Sequence, residues 1–108
     1  MNTQQAEILP RPAFLLVTAK VTDGARMGAY SRALAASGLY ARHGGHYLFL
    51  GKAAVPLEDW PDGTSIVCAQ FPSRAAAEAF WVDAQYQDEV KPLRGNAGEF
   101  HVAIFEGL

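Results

Sequence analysis

Residues 65–81, SIVCAQFPSRAAAEAFW, place a strand directly before a helix and decide the fold class. Ser65–Phe71 is an apolar run rich in strand-forming residues, and Pro72 ends it because proline cannot donate a ladder hydrogen bond. Ser73 is a favourable N-cap for the alanine-rich segment that follows. The sequence therefore predicts a helix from this serine to about Asp83 or Ala84.

Predicted strands and helices also alternate before and after this stretch. An amphipathic helix is predicted before the Gly44-Gly45 pair, which ends it. Gly38 could end this helix earlier. The full set is strands at Phe14–Val21, His46–Leu50, Ser65–Phe71 and Glu99–Phe105, helices at Ala25–Ala41 and from Ser73, and a short helical turn over Gln85–Val90. The order β-α-β-β-α-β predicts an α+β, ferredoxin-like fold, a four-stranded antiparallel sheet with two helices on one face.

Length and composition indicate how many domains the chain contains and where the protein is located. A chain of 108 residues provides about one domain, which we expect to span residues 13–108. Residues 1–12 are polar and contain Pro10 and Pro12, so a disordered or extended tail is expected there. No secretory signal or long apolar span is found, which predicts a cytoplasmic protein.

Charge and cysteine content argue against several classes of partner and site. The formal net charge of −2 creates no field for a phosphate backbone or an anionic lipid surface, so neither nucleic acid nor a membrane is expected as a partner. The single cysteine, Cys68, cannot form an internal disulfide and is expected to be a buried, inert residue. The sequence has no phosphate-binding or dinucleotide motif, and no cofactor is predicted.

The sheet face away from the helices carries a mixture of apolar and polar residues. Alternation along the strands assigns to this open face Phe14, Leu16, Thr18, Lys20, Ile66, Cys68, Gln70, His101, Ala103 and Phe105. Such an apolar patch predicts an interface, here a homodimer in which two sheets stack. Thr18, Lys20, Gln70 and His101 would then line a small-molecule site. The alternative is that these polar groups lie at strand ends and contact water.

The segment Arg42-His43-Gly44-Gly45-His46 has the highest density of groups that could carry chemistry. Either His43 or His101 could act as an acid or base near neutral pH, and Arg42 or Lys20 could hold an anion. The alternative is structural, because basic groups at a helix C-terminus interact favourably with the helix dipole. Two histidines flanking two glycines lack the third ligand of a typical catalytic metal site, so no metal is predicted.

Several motifs spread over Ala13–Gly107 resemble the domain-of-unknown-function family numbered 1330, within the dimeric α+β barrel superfamily. They are Val21-Thr22-Asp23, Tyr30, His43-Gly44-Gly45, the helix entry from Phe71-Pro72-Ser73 to Phe80, Tyr86, and the closing strand before Glu106-Gly107. The resemblance implies a ferredoxin-like fold and a homodimer with stacked sheets. It implies no activity, although related families of the superfamily include antibiotic-biosynthesis monooxygenases and muconolactone isomerases.

Three functions are compatible with these observations. The first is a cofactor-independent enzyme or binder of a small organic acid or aromatic compound, which predicts a closed pocket. The second is a non-catalytic dimeric module whose interior is simply a packed core. The third, a haem-binding or monooxygenase-like protein, depends on the superfamily cousins and the histidines that have no other assigned role. The polar groups on the open face favour the first, since they are unusual in an interface that serves only packing.

Overall fold

The computed structural model describes residues 11–108, and the tail expected over residues 1–12 lies almost entirely outside them. The elements are β1 (Ala13–Val21), α1 (Gly24–Ser37), the one-turn helix α2 (Leu39–Arg42), β2 (His46–Lys52), β3 (Thr64–Phe71), α3 (Arg74–Val82) and β4 (Gly98–Glu106). A π-helical turn over Tyr86–Val90 and a 3-10 turn over Lys91–Leu93 connect α3 to β4. This order confirms the predicted β-α-β-β-α-β arrangement.

The four strands form one antiparallel sheet in the order β2-β3-β1-β4. At the centre of the sheet Val17 lies opposite both Val67 on β3 and Val102 on β4. Side chains from one sheet face, including those of Leu15 and Ala69, join residues of the helices in a single buried cluster. The α+β, ferredoxin-like fold is therefore confirmed.

The first helix is interrupted where the sequence contains Gly38. This glycine adopts the left-handed conformation (φ 68°), which ends α1 and begins α2. The hydroxyl of Ser37 donates to the carbonyl of Leu34 (2.7 Å) and accepts from the amide of Leu39 (3.1 Å), and so bridges the break. The single helix predicted over Ala25–Ala41 is thus two helices.

The other helix boundaries follow the predicted caps. The Ser73 hydroxyl accepts a hydrogen bond from the Ala76 amide at 3.1 Å and begins α3. The Asp23 carboxylate accepts from the Arg26 amide at 3.1 Å and begins α1. Each cap satisfies a backbone donor that has no partner within its own helix.

An aromatic cluster between the sheet and the helices forms much of the core. Phe71 of β3 and Phe80 of α3 are fully buried, with ring centroids 5.5 Å apart, and Tyr40 of α2 stacks on Phe80 at 4.6 Å. A side chain at Gly45 would begin 2.5 Å from the Phe71 ring. The glycine pair therefore ends α2 and also lets the backbone pass closely over the core.

Within residues 11–108 no helix lies against the open face, as predicted. The side chains of this face form rows across the sheet. In two of these rows Thr18 of β1 lies opposite His101 of β4, and Phe14 lies opposite Phe105. Phe49 of β2 faces the same side, since it pairs with Cys68, and 57% of its side chain is exposed. Among the described residues, no helix combines the length and apolar character that crossing a bilayer requires.

Candidate functional site

A cavity of about 250 Å³ lies between the sheet and the helices, on the side opposite the open face. This helix-side cavity has an apolar floor and an aromatic wall. Its lining comprises Leu15, Val17, Ala19, Val21, Met27, Tyr30, Ser31, Leu34, Tyr40, Tyr47, Leu50, Gly51, Ser65, Val67, Trp81, Tyr86, Arg94, Phe100 and Val102. Tyr47 is 45% exposed and Leu50 61%, which places the mouth of the cavity beside the edge strand β2.

The aromatic wall consists of side chains from five separate segments. The hydroxyls of Tyr30 (α1) and Tyr86 (the π-helical turn) are 2.9 Å apart and hydrogen-bonded, and the two rings meet edge to face. Tyr40 of α2 and Tyr47 of β2 pack with ring centroids 4.8 Å apart, and Trp81 lies 5.5 Å from Tyr86. Aromatic faces with a few polar tips are typical of sites for small organic ligands.

Burial raises the pKa of Tyr30, Tyr40 and Tyr47 above the usual value for tyrosine, and the neighbouring tyrosine hydroxyls raise those of Tyr30 and Tyr40 further. These phenols, which are neutral in the folded protein, therefore stabilise it at pH values below 10.0, the ordinary pKa of tyrosine. That contribution is lost as the pH rises through the folded-state pKa values, because the unfolded chain ionises first.

A tyrosinate titration tests this arrangement. In the native protein these three tyrosines, of the four in the chain, are expected to stay protonated at pH 10 and to ionise only together with alkaline unfolding. The ultraviolet absorbance of tyrosinate and the circular dichroism should change in one transition. The same chain in denaturant is the control, in which every tyrosine should titrate normally. Ionisation of two or more tyrosines near pH 10 with the fold intact would include at least one of these three and would contradict the packing described.

Arg94 supplies the cationic group of the cavity lining. It follows the 3-10 turn and only 9% of it is exposed. Its guanidinium carbon lies 4.3 Å from the ring centroid of Phe100 and 5.6 Å from that of Tyr30. Within residues 11–108 no carboxylate oxygen comes within 4.0 Å of it. A buried cation without a carboxylate partner is unusual.

Sequence reasoning did not identify Arg94 or the tyrosines as site residues. Arg94 lies in a loop marked by Pro92 and Gly95, where the burial of a side chain has no sequence signature. Tyr30 and Tyr86 occupy positions typical of the buried side of a helix, and both do belong to the core. The clustering of four tyrosines next to one arginine becomes visible only when the fold brings their segments together.

The four binding residues predicted on the open face do not form one cluster. Thr18 and His101 are direct cross-strand neighbours, and Lys20 lies one row further, opposite Glu99. Gln70 pairs with Phe14, four residues from Thr18 on β1, which is about 13 Å along a strand. All of these residues lie on the opposite side of the sheet from the helix-side cavity, and their role as ligand-binding groups stays a prediction.

The predicted residues Arg42 and His43 meet a partner that the sequence did not suggest, Asp83 at the end of α3. His43 Nε2 donates to an Asp83 carboxylate oxygen at 2.8 Å, and Arg42 donates to the same oxygen at 3.4 Å and to the Gln85 side chain at 2.8 Å. The hydrogen bond from His43, together with the Gln85 amide and the Arg42 charge, lowers the pKa of Asp83 below its usual value. This cluster ties the end of α2 to the end of α3.

The two predicted catalytic residues are far apart in the fold. His43 lies next to the aromatic cluster, where its ring packs edge to face with that of Phe80. His101 instead projects from β4 on the open face. Neither lines the helix-side cavity. Within residues 11–108 no group of three or more His, Cys, Asp or Glu side chains is arranged to hold a metal ion.

Comparison with known proteins supports the fold and identifies the family. Residues 12–108 match the family described as Domain of unknown function (DUF1330). No curated protein matches the chain significantly. Three solved structures share the fold at low identity, which shows the architecture and nothing about activity.

One of these structures is a dimeric ferredoxin-like protein of unknown function from Jannaschia sp. CCS1, with 16% identity, a TM-score of 0.63, and coverage of 89% of this chain and 99% of that one. A protein of unknown function from Rhodopseudomonas palustris has 20% identity, a TM-score of 0.63 and coverage of 99% and 90%. SnoaB from Streptomyces nogalater, described as a cofactor-independent oxygenase, has 14% identity, a TM-score of 0.60 and coverage of 91% and 94%.

Proposed function

Since the chain belongs to the family described as Domain of unknown function (DUF1330), whose name assigns no reaction, we propose from the cavity that it binds a small aromatic compound between its sheet and its helices. The observation that carries this proposal is the aromatic wall around a space of about 250 Å³. A module that serves only as a packed dimer core would be expected to fill this space, because protein interiors are close-packed.

The groups around the cavity favour binding over acid–base catalysis by histidine. Among the described residues that line the cavity there is no histidine or carboxylate, so the side-chain groups that carry exchangeable protons there are the tyrosine and serine hydroxyls, the Trp81 indole N–H and Arg94. The fold that the chain shares with SnoaB agrees with a reaction that needs no cofactor, but it identifies none. The lining described for residues 11–108 offers no imidazole as an axial haem ligand, so the histidines give no reason to expect haem in this cavity.

The second part of the proposal is a homodimer formed through the open face. Phe49 and Phe105 are both more than half exposed there, and apolar side chains of this size favour burial against another protein surface. A second copy offers the same apolar rows, as a two-fold interface requires. The dimeric state of the Jannaschia protein, which has the same fold, supports this assembly.

Ligand-observed NMR with indole tests the binding proposal. Val67 lies on the cavity floor, so Val67→Phe should fill part of the space and weaken indole binding by about tenfold or more, or 1.4 kcal/mol. We expect the overpacked variant to lose about 1–3 kcal/mol of stability and to remain folded.

The matched control is Val82→Phe, the same substitution at a helix position that is 70% exposed and outside the cavity lining. This variant should bind indole like the wild type. Equal binding by the Val67→Phe and Val82→Phe proteins, both shown to be folded by NMR, would place the indole elsewhere and contradict the proposal.

A further inference from the structure

We infer that Arg94 makes the helix-side cavity selective for an aromatic anion, a carboxylate or phenolate whose charged oxygen faces the guanidinium. This inference rests on the proposed binding function and adds to it the chemical class of the ligand. It starts from the fact that Arg94 is the single buried charged residue among the described residues.

The immediate surroundings of Arg94 leave its charge without a counter-ion. Removing a guanidinium from water is costly unless an anion or several acceptors replace the water. The faces of Phe100 and Tyr30 offset part of this cost through cation–π contacts. Along residues 11–108, however, neither an ion pair nor a side-chain hydrogen bond involves the guanidinium.

The N–H groups of Arg94 remain accessible to a bound molecule. In the described chain, every fully buried side-chain nitrogen or oxygen has a hydrogen-bond partner. Because the guanidinium nitrogens have none, they must retain contact with the cavity or with solvent. Arg94 in fact borders both the helix-side cavity and a more open groove beside it. An anion in the cavity next to Arg94 could therefore receive the planar pair of N–H donors that suits a carboxylate.

Further positive charge lies close to this end of the cavity. Lys91 is three residues earlier, with its ammonium 5.0 Å from the centre of the Trp81 ring, and it hydrogen-bonds the neutral Gln87 side chain at 3.1 Å. A guanidinium nitrogen of Arg26 approaches Gly95, where a Cβ would begin only 2.6 Å from it. Arg26 is partly neutralised, because its Nε lies 4.0 Å from an Asp23 carboxylate oxygen. Within residues 11–108 Lys91 has no carboxylate partner, and its charge favours a negative ligand near Arg94.

The tyrosine pair completes the set of donors. One of the hydroxyls of Tyr30 and Tyr86 donates to the other, and the hydroxyl that accepts keeps its own proton for a further acceptor. Both residues line the cavity together with Arg94. A ligand oxygen near them would therefore find an O–H donor as well as the guanidinium, while an aromatic ring would pack against the wall of the cavity.

Binding of benzoate and of benzamide to the full-length protein tests the inference, because the two probes have nearly the same shape and differ in charge. Calorimetry at neutral pH and low salt should show that the wild type prefers benzoate by about tenfold or more. Arg94→Met should remove this preference and leave benzamide binding nearly unchanged. Arg74→Met, at an exposed position on α3, is the control and should keep the preference.

The outcomes separate the anion inference from the proposed function. Benzamide binding to the wild type as tightly as benzoate would overturn the inference, while the aromatic site itself would stand. No binding of either probe would instead count against the proposed function. If the Arg94→Met protein does not fold, the wild-type preference for benzoate and the Arg94→Lys variant still decide the question. Arg94→Lys keeps the charge but not the planar pair of donors, and it should retain only part of the preference.

Discussion

Replacement of Phe105 by aspartate is expected to convert the proposed homodimer into a monomer. Phe105 is 53% exposed on the open face and lies beside Phe14 in the same row. The substitution removes an apolar contact and brings two copies of the same negative charge into an apolar interface, once from each subunit. We expect the dimer dissociation constant to rise by about 100-fold or more, measured by analytical ultracentrifugation over a range of concentrations.

The control for this variant introduces the same negative charge on the helix side of the protein. Val82→Asp changes an exposed residue of α3, opposite the proposed interface, and should leave the association unchanged. Both variants should keep the wild-type circular dichroism, because neither position is in the buried core. A Phe105→Asp protein that remains as tightly dimeric as the Val82→Asp protein would show that the open face is not the interface.

Replacement of Phe80 by alanine is expected to cause the largest loss of stability of any substitution proposed for this chain. The Phe80 ring is fully buried, stacks on Tyr40 at 4.6 Å and lies 4.8 Å from Tyr86. Truncation removes these contacts and leaves a void that the surrounding rings can fill only in part. The expected decrease in the free energy of unfolding is about 3–5 kcal/mol, a large part of the total for a domain of this size.

Urea denaturation at one fixed protein concentration measures this loss, since the proposed dimerisation would make the apparent stability depend on concentration. Val82→Ala, an exposed position on the same helix, is the control and should change the stability by less than about 0.5 kcal/mol. A loss below about 1 kcal/mol in Phe80→Ala would mean that the aromatic cluster packs more loosely than described.

Much of the fold could be predicted because its signals are local. Ser73 is a capping residue directly after a proline, and the glycine pair before His46 ends a helix, so both boundaries depend on the chemistry of a few neighbouring residues. The two faces of β1 and β3 follow from strict alternation along each strand. The second strand is different, since its run of consecutive apolar residues gives no clear face.

A register shift explains why β2 could not be divided into faces from the sequence. Tyr47 lies opposite Ala69, and Phe49 lies opposite the adjacent residue Cys68, so Leu48 is an extra residue in the strand. The shift turns Tyr47 and Leu50 toward the helix side and leaves Phe49 on the open face. Simple alternation would place Tyr47 and Phe49 on the same side.

The candidate site could not be located for a related reason. Residues with obvious chemistry, the histidines and Lys20, directed attention to the open face and to the end of the first helix. The helix-side cavity is lined instead by residues that also fit an ordinary core, such as Tyr30 and Tyr86, which are 56 positions apart in the sequence. Only their three-dimensional proximity to Arg94 distinguishes a binding site from packing.

The most direct test of the central claim is an isotope-filtered NOE experiment on the labelled protein with unlabelled indole. Binding in the helix-side cavity predicts intermolecular NOEs from the indole protons to the methyl groups of Val17, Val67 and Val102. NOEs to the methyl groups of Leu16, Ile66 and Ala103 on the open face, in place of these, would contradict the claim that the aromatic compound binds between the sheet and the helices.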